Sequence, residues 1–192
     1  MRIMGGSAVG AVFGVLTSLA NALSSPYSEL GAPLRGTVWG GIAKVLSLLL
    51  DAGWSWAALA VAAGLLAGTP AGGALAGPLA LVAATATYSA MDHLLVNAGS
   101  DVLIWAVVAV FFGPFLGMTG AAVRRPGLLG LLAALTVPVG AAVQMAVLPP
   151  RPHLTVTPAI AVAEALVWTA AAAGAAWAVH RFLAERRAVG AR

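Results

Sequence analysis

The chain has no cysteine, one lysine, two tyrosines and six acidic residues in 192 positions. Without cysteine there is no disulfide framework, no thiolate metal site and no cysteine nucleophile. Charged residues make up only 8% of the chain and hydrophobic ones 61%, with a mean hydropathy of +0.97. A water-soluble domain has no interior large enough to hide that much apolar surface. Also missing are a Walker loop, a G-x-S-x-G elbow, a dinucleotide fingerprint, an H-E-x-x-H helix and any deaminase or protease signature. No metal and no cofactor are therefore expected. The net charge of +4 comes mostly from Arg181, Arg186, Arg187 and Arg192. That pattern suits a tail against anionic lipid and gives no reason to expect nucleic acid.

What is present is long apolar sequence. Crossing a bilayer takes roughly 20 apolar residues in helix, because no backbone polar group can stay unpaired in lipid. Six stretches qualify, at about 4–23, 53–69, 72–91, 101–120, 126–148 and 157–182. Residues 36–51 are apolar but short and carry Lys44, so they are expected to form a short span or a re-entrant helix. The expected fold class is an all-α polytopic bundle of six to seven transmembrane helices. It forms a single domain over 1–192, with 183–192 as a basic cytoplasmic tail. The N-terminal stretch lacks a small-residue cleavage site and is expected to stay as a span. The expected location is the cell membrane, multi-pass, with the C-terminus cytoplasmic.

Counting arginine and lysine near the span ends does not separate six spans from seven. Six spans put Arg2, Arg124, Arg125 and the C-terminal arginines inside, with Arg35, Lys44 and Arg151 outside. Seven spans move the N-terminus outside and Arg35 inside, for nearly the same score. Both arrangements bring Asp51, Asp92, Asp101 and the start of the Glu164 helix toward one non-cytoplasmic face. Gly6, Gly10 and Gly14 recur at four-residue spacing and are expected to let helices approach closely. Pro114, Pro138 and Pro158 lie within or at the start of spans, where they kink or open a helix.

Three of the six acids have an aromatic residue four positions away: Tyr88 before Asp92, Trp105 after Asp101 and Trp168 after Glu164. Four residues is just over one turn, so each pair shares a helix face. An ionisable group within a bilayer is costly and marks a candidate functional site, although acids at span ends beside a belt of aromatics have a purely structural explanation. Glu164 lies well inside the last span and must be paired, hydrated or protonated. Protonated, it is a proton donor; hydrogen-bonded to Gln144 or Lys44, it is packing glue. Asp92 ends a helix, where the macrodipole disfavours negative charge, and so needs a partner or a proton. The segment around it adds His93, Asn97, Ser100 and Asp101, and Ser100 or Asp101 is expected to cap the next helix. Asp51 opens DAGWSW and is expected to cap the helix that presents Trp54 and Trp56. The first long connection carries Tyr27, Glu29 and Arg35, and its prolines suggest an ordered loop able to cap a cavity.

The runs LTSLANALSSPYSELGAPLRGTVWGGIAKVLSLLLDAGWSWAALAVAAG, YSAMD and FFGPFLGMTGAAVRRPGLLGLLAALTVP resemble a family of small polytopic membrane proteins of high-GC bacteria. That resemblance implies a fold and no activity. In size, span count and the acid of its last span, the chain is also similar to the membrane-bound terpene cyclases. This second resemblance implies intramembrane carboxyls that protonate an alkene or epoxide, with aromatics guiding the carbocation; only Glu164 maps onto it, and its partner is open among Asp51, Asp92 and Glu29.

Two functions are weighed first. One is an integral membrane enzyme acting on an isoprenoid or lipid-like apolar substrate that enters from membrane lipid. Glu164, Asp92 and Asp51 would be its catalytic candidates, and Trp168, Trp105, Tyr88, Asp101, Gln144, Trp54, Tyr27 and Glu29 its substrate-binding candidates. The other is a small-solute permease or the substrate-binding membrane subunit of an importer, favoured by polar groups gathered on an outward face. A structural membrane protein with no small ligand is the third possibility. Oligomeric state and substrate identity are not legible.

Overall fold

A chain this apolar, with no water around it in a bilayer, has to close its backbone hydrogen bonds within helices, and it does. The computed structural model describes residues 2–96, 101–150 and 156–190. Asn97, Ser100 and Arg151 lie outside the described residues. In chain order come α1 (Arg2–Ser24), a 3-10 turn (Ala32–Leu34), α2 (Val38–Leu50), α3 (Gly53–Ala67), α4 (Pro70–Val96), α5 (Val102–Ala122), α6 (Leu128–Val147) and α7 (Pro158–Gly190). There is no strand among the described residues, so the expected all-helical membrane bundle is what forms.

Five helices are long and apolar enough to cross a membrane: α1, α4, α5, α6 and α7. The expected span at 53–69 is only the 15-residue α3. At about 1.5 Å per residue such a helix reaches about 22 Å, short of a hydrocarbon core about 30 Å thick. Together α2 and α3 do reach spanning length, but they meet at a 63° bend. Residues 36–51 are therefore half of a broken pair. Two other boundaries move. α4 continues to Val96, so Asp92 sits inside its last turn and a half. α7 carries on to Gly190, because Arg181 pairs with Glu185 one turn on (3.5 Å) and the Arg186 guanidinium lies over the Phe182 ring. As far as Gly190 the basic tail is the end of a helix, and Arg192 lies outside the described residues.

α4 lies between α1 and α5, α3 packs across all three, and α6 and α7 pair against α2 and α3. The interior is made of small residues: Ala60, Ala63, Ala76, Ala80, Ala84 and Ala109 are buried. Bulky residues point outward, with Leu103, Phe111, Phe112 and Phe115 of α5 all exposed. This arrangement suits lipid, which is as apolar as any core and leaves close approach as the force for assembly. A methyl group built on Gly117 would overlap the Gly73 carbonyl of α4, and one on Gly10 the Ala80 carbonyl. The α1 glycines do pack as their spacing suggests, Gly6 against Ala76, Gly10 against Ala80 and Gly14 against Ala84. α3 stops at Gly68, whose φ of 75° provides the left-handed turn into Pro70.

Candidate functional site

Polar side chains collect at the end of the bundle where α1, α2 and α4 finish and α3 begins. Asn21, in the last turn of α1, is the hub. Its Nδ2 donates to Asp51 Oδ2 (3.2 Å) and to the Tyr88 hydroxyl (3.2 Å), while its Oδ1 accepts from Ser47 Oγ (2.6 Å). One amide thus ties three helices together at their ends. Tyr88 meets Trp56 edge-on at 6.2 Å, and Trp56 meets Phe13 in the same way at 5.4 Å, so an aromatic floor lies beneath the polar groups. Asp92 is half-buried beside this cluster, close enough to feel the Asp51 carboxylate, and both carboxylates act on Tyr88.

The break between α2 and α3 leaves one set of carbonyls and one set of amides without helical partners. Ser55 Oγ reaches the Leu50 and Ala52 carbonyls, each at 2.6 Å. On the amide side, Gln144 Oε1 of α6 accepts from the Trp54 N–H at 2.8 Å. The expected cap, Asp51, does not take that role. It terminates α2, and its carboxylate turns to Asn21, while the residue at the start of α3 is Ala52, which has no side-chain acceptor.

A cleft of about 280 Å³ opens at this break, between α2, α3, α6 and α7. Lys44, Ser47, Asp51, Trp54 and Gln144 form its polar side, and Met145, Ala163 and Val167 are among the apolar residues opposite. Trp54 keeps its indole Nε1 buried with no hydrogen-bond partner among the described residues. A buried donor without a partner is uncommon and is costly to keep.

Asp51, Trp54 and Gln144 meet at the cleft, whereas Tyr88 and Asp92 do not line it; Tyr88 is joined to Asp51 through Asn21. The other candidates do not gather there. Glu164 is buried, at 9% exposure, and engaged in a polar interaction, yet it does not line the cleft that its neighbours Ala163 and Val167 reach. Trp168 (47% exposed) and Trp105 (59%) face outward, and neither lines the cleft. Asp101 is exposed at the start of α5 and makes no side-chain cap. Ser28 pins the first connection by bonding the Ala22 carbonyl and the Gly31 amide, an ordered loop as its prolines suggest, but Tyr27 and Glu29 project away from it into the surroundings. Asn21 and Ser47 were missed by sequence reasoning, because each is a lone polar residue within an apolar run and nothing local marks the bond between them.

The opposite end carries Arg124, Arg125, Arg181, Arg186 and Arg187. There Arg181 donates to the Val123 carbonyl (2.6 Å) and lies over the Trp177 ring, fastening α7 to the end of α5. The fold and the two unlike ends define a helical membrane protein with a polar cleft beside a broken helix. Compared with protein-family models, curated proteins and solved structures, the chain matches none of them.

Proposed function

We propose that this protein binds a small polar solute in the cleft at the α2–α3 break, as a permease or as the substrate-binding membrane subunit of an importer. The observation that carries the proposal is the break itself: α2 ends and α3 begins at the cleft wall, with Lys44, Asp51 and the unpartnered Trp54 indole around the same space. Irregular backbone at such a place is tolerated where it lines a cavity, and facing helix ends are a recurring way to hold polar solutes in membrane proteins. At about 280 Å³ the space lies at the small end of ligand pockets, which suits a compact solute with both an anionic and a cationic or donor group. The five arginines of the far end favour placing that end in the cytoplasm and the cleft on the other side.

The alternative, carboxyl-catalysed chemistry on an isoprenoid, has less support. It needs Glu164 and Asp92 to flank a common hollow, and neither of them lines the cleft. Mass spectrometry of the small molecule that copurifies in mild detergent tests the two. A polar solute retained by the wild type and lost from both Trp54→Phe and Gln144→Leu supports solute binding. A prenylated compound, or retention unaffected by either substitution, refutes it.

A further inference from the structure

At the arginine-rich end, α5 and α6 diverge from the turn that joins them and leave a groove of about 420 Å³ on the outer surface. Phe115 and Met118 of α5 and Leu129 and Leu132 of α6 line it and are all exposed. Two threonines also line it, but both hydroxyls are spent within their own helices, Thr119 on the Phe115 carbonyl (2.8 Å) and Thr136 on the Leu132 carbonyl (3.1 Å). The groove therefore asks for an apolar occupant along its length. Its end at the turn is different, because there it is bounded by Arg125.

The arginines at this end are not equivalent. Arg181 is committed to Val123, Trp177 and Glu185, and Arg186 lies over Phe182. Arg125 is exposed, and its side chain makes no hydrogen bond or ion pair among the described residues. The one acid nearby, Glu185, is already paired with Arg181. An apolar channel ending in an uncompensated guanidinium matches a molecule with a long hydrocarbon chain and an anion at its head. We infer that the α5–α6 groove is a binding site for an anionic phospholipid, its acyl chain against Phe115, Met118, Leu129 and Leu132 and its phosphate on Arg125. Arginine suits this role because its planar fork meets two phosphate oxygens at once, and basic pockets between transmembrane helices are known to hold acidic head groups. The site is at the opposite end from the cleft and does not depend on what the cleft binds.

Native mass spectrometry of the full chain, released from bilayers containing equal phosphatidylglycerol and phosphatidylethanolamine, tests the inference. The wild type should retain phosphatidylglycerol in preference, and Arg125→Gln should weaken that retention about fivefold. Arg125→Lys should recover most of it, Arg186→Gln should leave it unchanged, and Thr119→Trp, which fills the groove but keeps the charge, should abolish it. Equal retention of the two lipids by the wild type, equal losses in Arg125→Gln and Arg186→Gln, or a second protein copy seated in the groove with no lipid would each overturn it.

Discussion

Replacing Asn21 by leucine tests the polar hub most directly. The two side chains are of similar size, so the change removes hydrogen bonds without opening a large cavity. Three interhelical bonds disappear: those to Asp51, to Tyr88 and from Ser47. Side-chain hydrogen bonds between membrane helices average about 0.6 kcal/mol each, with the strongest near 1.7. Three of them sum to about 2 kcal/mol. Asp51 is exposed, so water takes over part of its loss and keeps the total from rising much higher. Ser47 is buried and has no such relief. Reversible unfolding in mixed micelles, or steric trapping in bicelles, should give a loss of about 2 kcal/mol for Asn21→Leu and about 0.6 for Tyr88→Phe. The double variant should fall short of the sum by roughly 0.5 kcal/mol, since both remove the same bond. A loss under about 0.3 kcal/mol for Asn21→Leu, with additive double-variant energies, would mean that the amide does not join these helices.

Three further outcomes are expected. Gly117→Val should cost about 3 kcal/mol or more, because the atoms it meets are the Gly73 and Gly77 backbones and have no room to move; Phe112→Ala, on the outer surface, should cost far less, and equal losses in thermal unfolding would contradict the packing described. Ser18 is buried with its hydroxyl unpaired among the described residues, so Ser18→Ala should be neutral or stabilising by about 1 kcal/mol in the same assay; clear destabilisation would mean that the hydroxyl has a partner. Arg181→Gln removes the bond to Val123 and the stacking on Trp177, and should cost about 1–2 kcal/mol while making the end of α7 exchange its amide hydrogens faster; unchanged exchange there would refute the latch.

Much of the architecture was legible because apolar length is a strong signal. The helical class, most span positions, the glycine stripe of α1 and the gathering of Asp51 and Asp92 at one end all followed from it. Which face of each helix points inward did not. In a soluble helix polarity separates the two faces, but here interior and lipid are both apolar, and the pattern that remains is size. Gly113, Gly117 and Gly120 mark the inner face of α5, and reading them first would have turned Phe111 and Phe115 outward. The cleft was missed for another reason. It depends on Gln144 capping a helix ninety residues earlier in the chain and on Asn21 reaching Asp51, and no local spacing records either contact. Glu164 drew attention as an acid deep in a span, yet adjacency along α7 did not bring it to the same space as Ala163.

The division between bulky outer and small inner residues separates two events in the life of this chain. Partition of each helix from the translocation machinery into the membrane draws on side chains such as Phe111, Phe112 and Leu103, which gain their transfer energy from lipid before any neighbour arrives. Docking of the inserted helices draws on a different set, the glycines and alanines along α1, α4 and α5, which contribute little to partition. Substitutions in the first set should therefore leave chains stranded outside the bilayer, and substitutions in the second should leave them inserted but unassembled and open to quality-control proteases.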